Sequence, residues 1–225
     1  FKQFEVRNSF SAMKVGTDGV LLGAWFDVPQ GASVLDVGTG CGVIGLMAAQ
    51  RGAAHVVEVE IDAGAASEAV INAESSPWRD KVKVVHCDFM TYEPECRFDR
   101  IVSNPPFFNE AVVSPDSSRA MARHEGSLSL HSLLSRASGM LALEGRVALI
   151  APMSRYPDVA YAASLARLSL VRMSRVITAK DPMRPPSRVL CEYSLDASVV
   201  KYDDIHMFSD EYRQLVAPFY LDKTK

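Results

Sequence analysis

Two short segments of this chain hold residues whose types and order could do chemistry together. One is Asp36-Val37-Gly38-Thr39-Gly40-Cys41-Gly42, which follows the apolar pair Val34-Leu35. The other is Asn104-Pro105-Pro106-Phe107. Glycines directly after a buried strand let the backbone approach a ligand closely and aim the next helix's N-terminus at it. The Asn104 amide oxygen and the Pro105 carbonyl could together accept both N–H bonds of a planar amino group. That favours a pyramidal nitrogen whose lone pair can attack. Two successive prolines stiffen the turn and remove competing donors. Phe107 offers a face on which a planar base can stack, worth about 1–3 kcal/mol. Alone, the second segment reads equally well as a proline-rich loop with Phe107 and Phe108 buried. After a glycine loop, it describes an amine held beside a nucleoside cofactor.

Such groups need a sheet that brings strand ends together, and the apolar pattern supplies one. Strands are expected over Val34–Val37, His55–Ile61, Val82–Cys87, Asp99–Ser103 and Arg146–Ala151. Between them lie helical patterns over Val43–Gln50, Asp62–Ala73, Leu128–Leu143 and Tyr156–Leu168. Thr17 or Asp18 would cap an earlier helix through Val20, Leu21, Leu22 and Trp25. Leu170–Ala179 and Val189–Leu195 alternate as strands and are joined by the turn Lys180–Ser187, which reads as a closing hairpin. Asp210–Tyr220 forms a last amphipathic segment. Strand–helix alternation of this kind predicts an α/β fold with a mostly parallel sheet and helices on both faces. The ligand is then expected at the carboxyl ends of the strands.

A chain of 225 residues with 48% hydrophobic content can bury one substantial core, so a single domain over 1–225 is expected. Residues 1–30 would cover the cofactor site, 31–195 would form the core and 196–225 a helical extension. No apolar run approaches the roughly 18–20 residues of a membrane span, and no signal-like segment opens the chain, so a cytoplasmic protein without membrane contact is expected. Cys41, Cys87, Cys96 and Cys191 show neither paired spacing nor companion histidines, which points to free thiols and no metal. The net charge of −3 hides an asymmetry. Arg167, Arg172, Arg175, Lys180, Arg184 and Arg188 stand against the single acid Asp181, a local surplus suited to an anionic partner. A solvated basic surface would give the same pattern.

The glycine string has Val43 where the third glycine of a dinucleotide loop would fall, which disfavours NAD and flavin. Glu60, at the end of the second strand, can accept both ribose hydroxyls. Asp62 competes for that role but looks like a helix N-cap. Asp88 ends the third strand.

The D-x-G-x-G-x-G loop and the Asn-Pro-Pro-Phe tetrapeptide together resemble the class I S-adenosylmethionine (SAM)-dependent N-methyltransferases. Phe4, the string Lys14-Val15-Gly16-Thr17-Asp18-Gly19, Leu21-Leu22-Gly23-Ala24-Trp25, Ser76-Pro77-Trp78 and Arg188-Val189-Leu190 extend the likeness over nearly the whole chain. These segments resemble the bacterial tRNA adenine-N6 methyltransferases that modify adenosine 37 of a valine tRNA. The resemblance implies a Rossmann-like fold with a seven-stranded sheet and a terminal antiparallel hairpin strand. It implies SAM as cofactor, held by Lys14, Thr17, Asp36, Gly38, Gly40, Gly42, Glu60, Ile61, Asp88, Phe89 and Asn104. Asp88 would meet the adenine amino group. Catalysis would fall to Asn104, Pro105 and Phe107. The family also uses Tyr-Tyr where this chain has Phe107-Phe108, a change that leaves stacking intact.

The same tetrapeptide chemistry serves guanine N2 in RNA, adenine in DNA and a protein glutamine amide. The short lead-in before the glycine loop disfavours the glutamine enzymes, and no base-recognition domain for DNA is evident. A rival from another class is a SAM- or RNA-binding module without activity. For a tRNA partner, Arg119, Arg123, Lys180, Arg184 and Arg188 are the expected phosphate contacts, with His124 beside them. The protein is expected to act as a monomer.

Overall fold

The computed structural model describes residues 1–10, 14–106, 128–181 and 183–221. Eight strands form one sheet in the order β3-β2-β1-β4-β5-β7-β6-β8. They are β1 (Ser33–Val37), β2 (His55–Glu60), β3 (Val82–His86), β4 (Phe98–Ser103), β5 (Leu141–Pro152), β6 (Ser169–Ile177), β7 (Arg188–Ser194) and β8 (Lys201–His206). β7 runs antiparallel to both β5 and β6, and all other pairs are parallel. The carboxyl ends of β1, β2, β4, β5 and β6 therefore share one edge.

Strands covered on both faces read as continuous apolar runs, and β1 and β4 are buried along nearly their whole length. One face of the sheet packs against α1 (Thr17–Trp25), α2 (Val43–Gln50), Ala73 of α3 (Ala63–Glu74) and Val216 of α6 (Asp210–Val216). The opposite face packs on α4 (Leu130–Met140) and α5 (Tyr156–Leu165). The Asp62 carboxylate caps α3 by accepting from Ala65 N at 2.8 Å, as its position suggests.

Three expectations need correction. The sheet has eight strands rather than seven, so 196–225 is not simply helical. β8 went unread because it is polar and mostly exposed, as suits an edge strand, and its acids pair with arginines of β6. Next, α4 stops at Met140. Leu141 turns extended (φ −68°, ψ 138°) and opens β5, although the leucine spacing runs on. Finally, neither Thr17 nor Asp18 caps α1. The N-cap is Gly16, without a side-chain hydrogen bond, and Asp18 instead accepts from Arg188 Nε at 2.8 Å. The hairpin of β6 and β7 is as expected, with antiparallel β7 third from the outer edge of the sheet.

Candidate active site

β1 runs into a turn in which Gly38, Gly40 and Gly42 all have positive φ, at 69°, 61° and 85°. A Cβ at Gly38 or Gly40 would meet nothing within 4 Å, so the space over the loop is open. Gly42 opens α2 without a capping side chain. Beneath the loop, Asp36 Oδ2 accepts from Thr39 Oγ1 at 2.6 Å and from Gly45 N at 3.2 Å. Asp36 is thus a buried brace of the turn.

Glu60 stands at the end of β2 with its carboxylate anchored twice. Oε2 accepts from Gly40 N at 2.8 Å and Oε1 from Asp62 N at 2.9 Å. A carboxylate offers about four acceptor positions, so two remain for a pair of hydroxyls. Ile61, next in the chain, is 58% exposed and presents an apolar surface at the mouth. Asp88 is exposed after β3, and its Oδ1 accepts from Met90 N at 2.8 Å. The Phe89 side chain is buried in the core cluster on the α4 and α5 face, where the Arg136 guanidinium lies over the ring, so a part in holding a ligand would fall to its backbone.

Asn104 and Pro105 follow β4 at the same edge, half-buried. Ser103 Oγ donates to Val37 O at 2.8 Å, which ties the end of β4 to the end of β1. A Cβ on Gly19 would lie 3.8 Å from Asn104 Nδ2 and 4.0 Å from Val43 Cγ1. The first turn of α1, the first residue of α2 and the tetrapeptide asparagine therefore meet at one point. Phe107, Arg119, Arg123 and His124 lie outside the described residues.

The segment before α1 is strapped across α3. Asn72 Oδ1 accepts from Arg7 N at 2.7 Å, while Nδ2 donates to Arg7 O at 2.9 Å and to Cys41 O at 2.8 Å. Glu68 Oε1 accepts from Ser9 N and Phe10 N. Asn72 thus joins the strap to the glycine loop itself. Both residues were missed in the sequence. Their signal is a pair of polar side chains four apart on the alanine face of α3, at Ala65, Ala69 and Ala73. Lys14 Nζ donates to Asn8 O and Ser9 O, so its ammonium closes the strap rather than reaching freely over the loop. Thr17 is exposed at the start of α1.

The basic surplus reads differently once folded. Arg175 forms a two-pronged pair with Asp204, Arg172 lies 3.8 Å from Asp203 and Arg188 pairs with Asp18. The turn between β6 and β7 does emerge at the site edge. There Lys180 and Arg184 are exposed and make no ion pair among the described residues. Of the three cations proposed on this turn, Arg188 is the one the structure uses as an anchor between β7 and α1.

Positive-φ glycines, open space above them, an anchored carboxylate and an adjacent apolar surface fit a nucleoside such as SAM. Replacing Glu60 by alanine is expected to weaken SAM binding by about 1–3 kcal/mol through unpaired hydroxyls. Calorimetry gives the test, and unchanged affinity would remove Glu60 from the site. Among the described residues there is no metal-binding cluster and no helix long and apolar enough to cross a membrane.

The methyltransferase small domain family matches residues 4–155. A Bacteroides thetaiotaomicron protein named tRNA1(Val) (adenine(37)-N6)-methyltransferase is 41% identical over 98% of this chain and 96% of its own length. One of the same name from Aeromonas hydrophila is 39% identical, with the same coverage. Among solved structures, a predicted O-methyltransferase from Agrobacterium tumefaciens superposes with a TM-score of 0.69 at 16% identity, covering 92% of this chain and 100% of that one. A TehB-like SAM-dependent methyltransferase from Corynebacterium glutamicum gives 0.54 at 18% identity, covering 81% and 89%. These structural likenesses speak for the fold alone.

Proposed function

The chain belongs to the tRNA1(Val) (adenine(37)-N6)-methyltransferase family, and from that premise we propose that it methylates the exocyclic N6 of adenosine 37 in a valine tRNA. SAM is the cofactor and supplies an electrophilic methyl group. The observation that carries the reading is the meeting of Asn104, Gly19 and Val43 at the carboxyl ends of β1 and β4.

The chain's own residues do the positioning. The Asn104 amide oxygen and the Pro105 carbonyl accept the two N–H bonds of the target amine. The nitrogen lone pair, otherwise delocalised into the ring, is thereby turned toward the methyl group. Holding the amine in line at near-attack distance replaces an encounter in solution and accounts for most of the rate. Phe107 stacks on the extruded base. The methylated nitrogen then loses a proton to water, so no dedicated base is needed. Glu60 holds the ribose hydroxyls, and Ile61 and Asp88 line the adenine end.

Lys180 and Arg184 are proposed to contact RNA phosphates, with Arg119 and Arg123 in the segment after the tetrapeptide. Neutralising Lys180 or Arg184 is expected to flatten the logarithmic salt dependence of tRNA binding by roughly one unit or slightly less each. Arg188→Ala is expected to lower the melting temperature and leave that slope unchanged. An unaltered slope in both Lys180→Ala and Arg184→Ala would place the RNA elsewhere.

A cytoplasmic monomer fits the work on tRNA and the charged outer strand β8, which discourages edge-to-edge pairing. The decisive experiment is transfer of labelled methyl from SAM to total tRNA of a strain lacking the gene, followed by nucleoside analysis. Label in N6-methyladenosine is expected. Label in N2-methylguanosine, or none in RNA, would overturn the assignment.

A further inference from the structure

Two carboxyl groups lie side by side beneath the glycine loop with no cation to balance them. Asp36 on β1 and Glu58 on β2 are register partners, and both are fully buried. Asp36 Oδ1 and both Glu58 oxygens lack any hydrogen-bond partner. The Glu58 carboxyl presses on the junction of loop and helix. A Cβ at Gly45 would sit 2.1 Å from its Oε1, and one at Gly42 would sit 2.8 Å from Oε2.

The surroundings are acidic or neutral on every side. Glu60 follows on the same face of β2. On β3 the aligned residue is Val84, with His86 beyond it in register with Glu60. Val102 aligns with Asp36 on β4. Val43–Gln50 of α2 carry no titratable side chain. Cys41 in the loop has its thiol pushed up to about 11 by burial, with Glu68 and Glu58 adding to the effect. Glu68 on α3 accepts the strap amides. Among the described residues of β1 to β4, His86 is exposed and turned away, its ring Nε2 lying 3.1 Å from Ile61 O.

Two buried carboxylates this close cannot both ionise cheaply. Asp36 has a hydroxyl, a backbone N–H and the start of α2 to support a charge, whereas Glu58 has no donor. Burial, with the Glu60 charge adding to it, raises Asp36 to about 7, and burial, with the Asp36 charge adding to it, holds Glu58 well above the usual carboxyl range.

We propose that the Asp36–Glu58 pair holds one proton in the cofactor-free protein, chiefly on Glu58, and releases it when the sulfonium of SAM settles on the glycine loop. The Glu58 O–H bond breaks and the proton passes to solvent, the sulfonium charge supplying the balance that two ionised carboxylates lack in the cofactor-free protein. S-adenosylhomocysteine, the demethylated product, is neutral at sulfur and leaves the pair protonated. The loop thus reads the charge that separates cofactor from product, and SAM binding tightens with rising pH while product binding does not. This inference rests on the SAM reading above.

Calorimetry of SAM and S-adenosylhomocysteine binding at pH 8, above the Asp36 value and where Glu58 keeps its proton, in buffers of different ionisation enthalpy, counts the protons. SAM is expected to release up to about one proton more than the product does. Glu58→Gln should abolish that difference and leave product affinity unchanged. Glu58→Met, which removes the buried polar group entirely, is the second variant should the first fold poorly. Equal proton counts for both ligands in the native protein, or a difference that survives in the variants, would overturn the proposal while leaving SAM as the cofactor. Failure of the native protein to bind either ligand would overturn the cofactor reading itself.

Discussion

Replacing Asn104 by alanine is expected to abolish methyl transfer while changing SAM affinity less than about twofold, roughly 0.4 kcal/mol. The asparagine follows β4 and adjoins the first turns of α1 and α2. Its proposed work, however, is on the acceptor amine, and its share in holding the cofactor is one of many contacts. Removing a group that acts on the reacting nitrogen lowers the rate without weakening ground-state cofactor binding. Single-turnover rates beside calorimetric SAM affinities make the test. Turnover above about a tenth of the native value, a loss of only ~1.4 kcal/mol, would deny Asn104 the orienting role. An idle binding module would show no loss, because it would have no transfer to lose.

The second large effect is on stability. Asp36 and Glu58 have folded-state proton affinities raised by burial, Asp36 to about 7 and Glu58 well above the ordinary carboxyl range. In the unfolded chain both ionise in the ordinary carboxyl range. Between that range and the raised values the folded state binds more protons than the unfolded one, so stability falls as pH rises. Their full contribution is present below about pH 4 and is lost on the way through neutrality. Glu58→Met should therefore stabilise the protein at pH 8 by about 1–3 kcal/mol, the cost of burying unpaired polar atoms. At roughly 2–4 °C per kcal/mol, that is several degrees in melting temperature. The gain should shrink at pH 5. A gain equal at both pH values would show that packing, and not ionisation, sets the effect.

Elements whose signal is local were legible in the sequence. The apolar run into glycines marked β1 and α2, with Val43–Gln50 read to the residue, and Asp62 announced its cap. Glu60, Asn104 and the site edge followed from strand order. What escaped depends on partners distant in sequence. The basic run from Arg167 to Arg188 looked like an RNA footprint, yet Arg172, Arg175 and Arg188 meet Asp203, Asp204 and Asp18. β8 hid because an outer strand needs no apolar alternation. Asp18 looked like a cap because nothing nearby announces Arg188. Glu58 read as one more strand residue, since burial of a carboxyl follows from what packs over it. Phe89 followed a strand-end acid, but the aromatic ring turned inward.

The lodging of α1 has a consequence for synthesis. From Gly19 to Trp25 every residue of that helix is buried. Trp25 Nε1 donates to Ser174 Oγ, Arg172 covers the indole ring at 4.2 Å, Asp27 N donates to Glu192 Oε1 and Asp18 waits for Arg188. These partners lie 147 to 170 residues further along the chain. At ribosomal speeds of about 5–20 residues per second, an apolar helix leaves the exit tunnel on the order of ten to thirty seconds before its berth exists. In that interval it is a natural client for a chaperone. The first turn of α1, which adjoins Asn104, gains its Arg188 anchor only once the hairpin of β6 and β7 has formed.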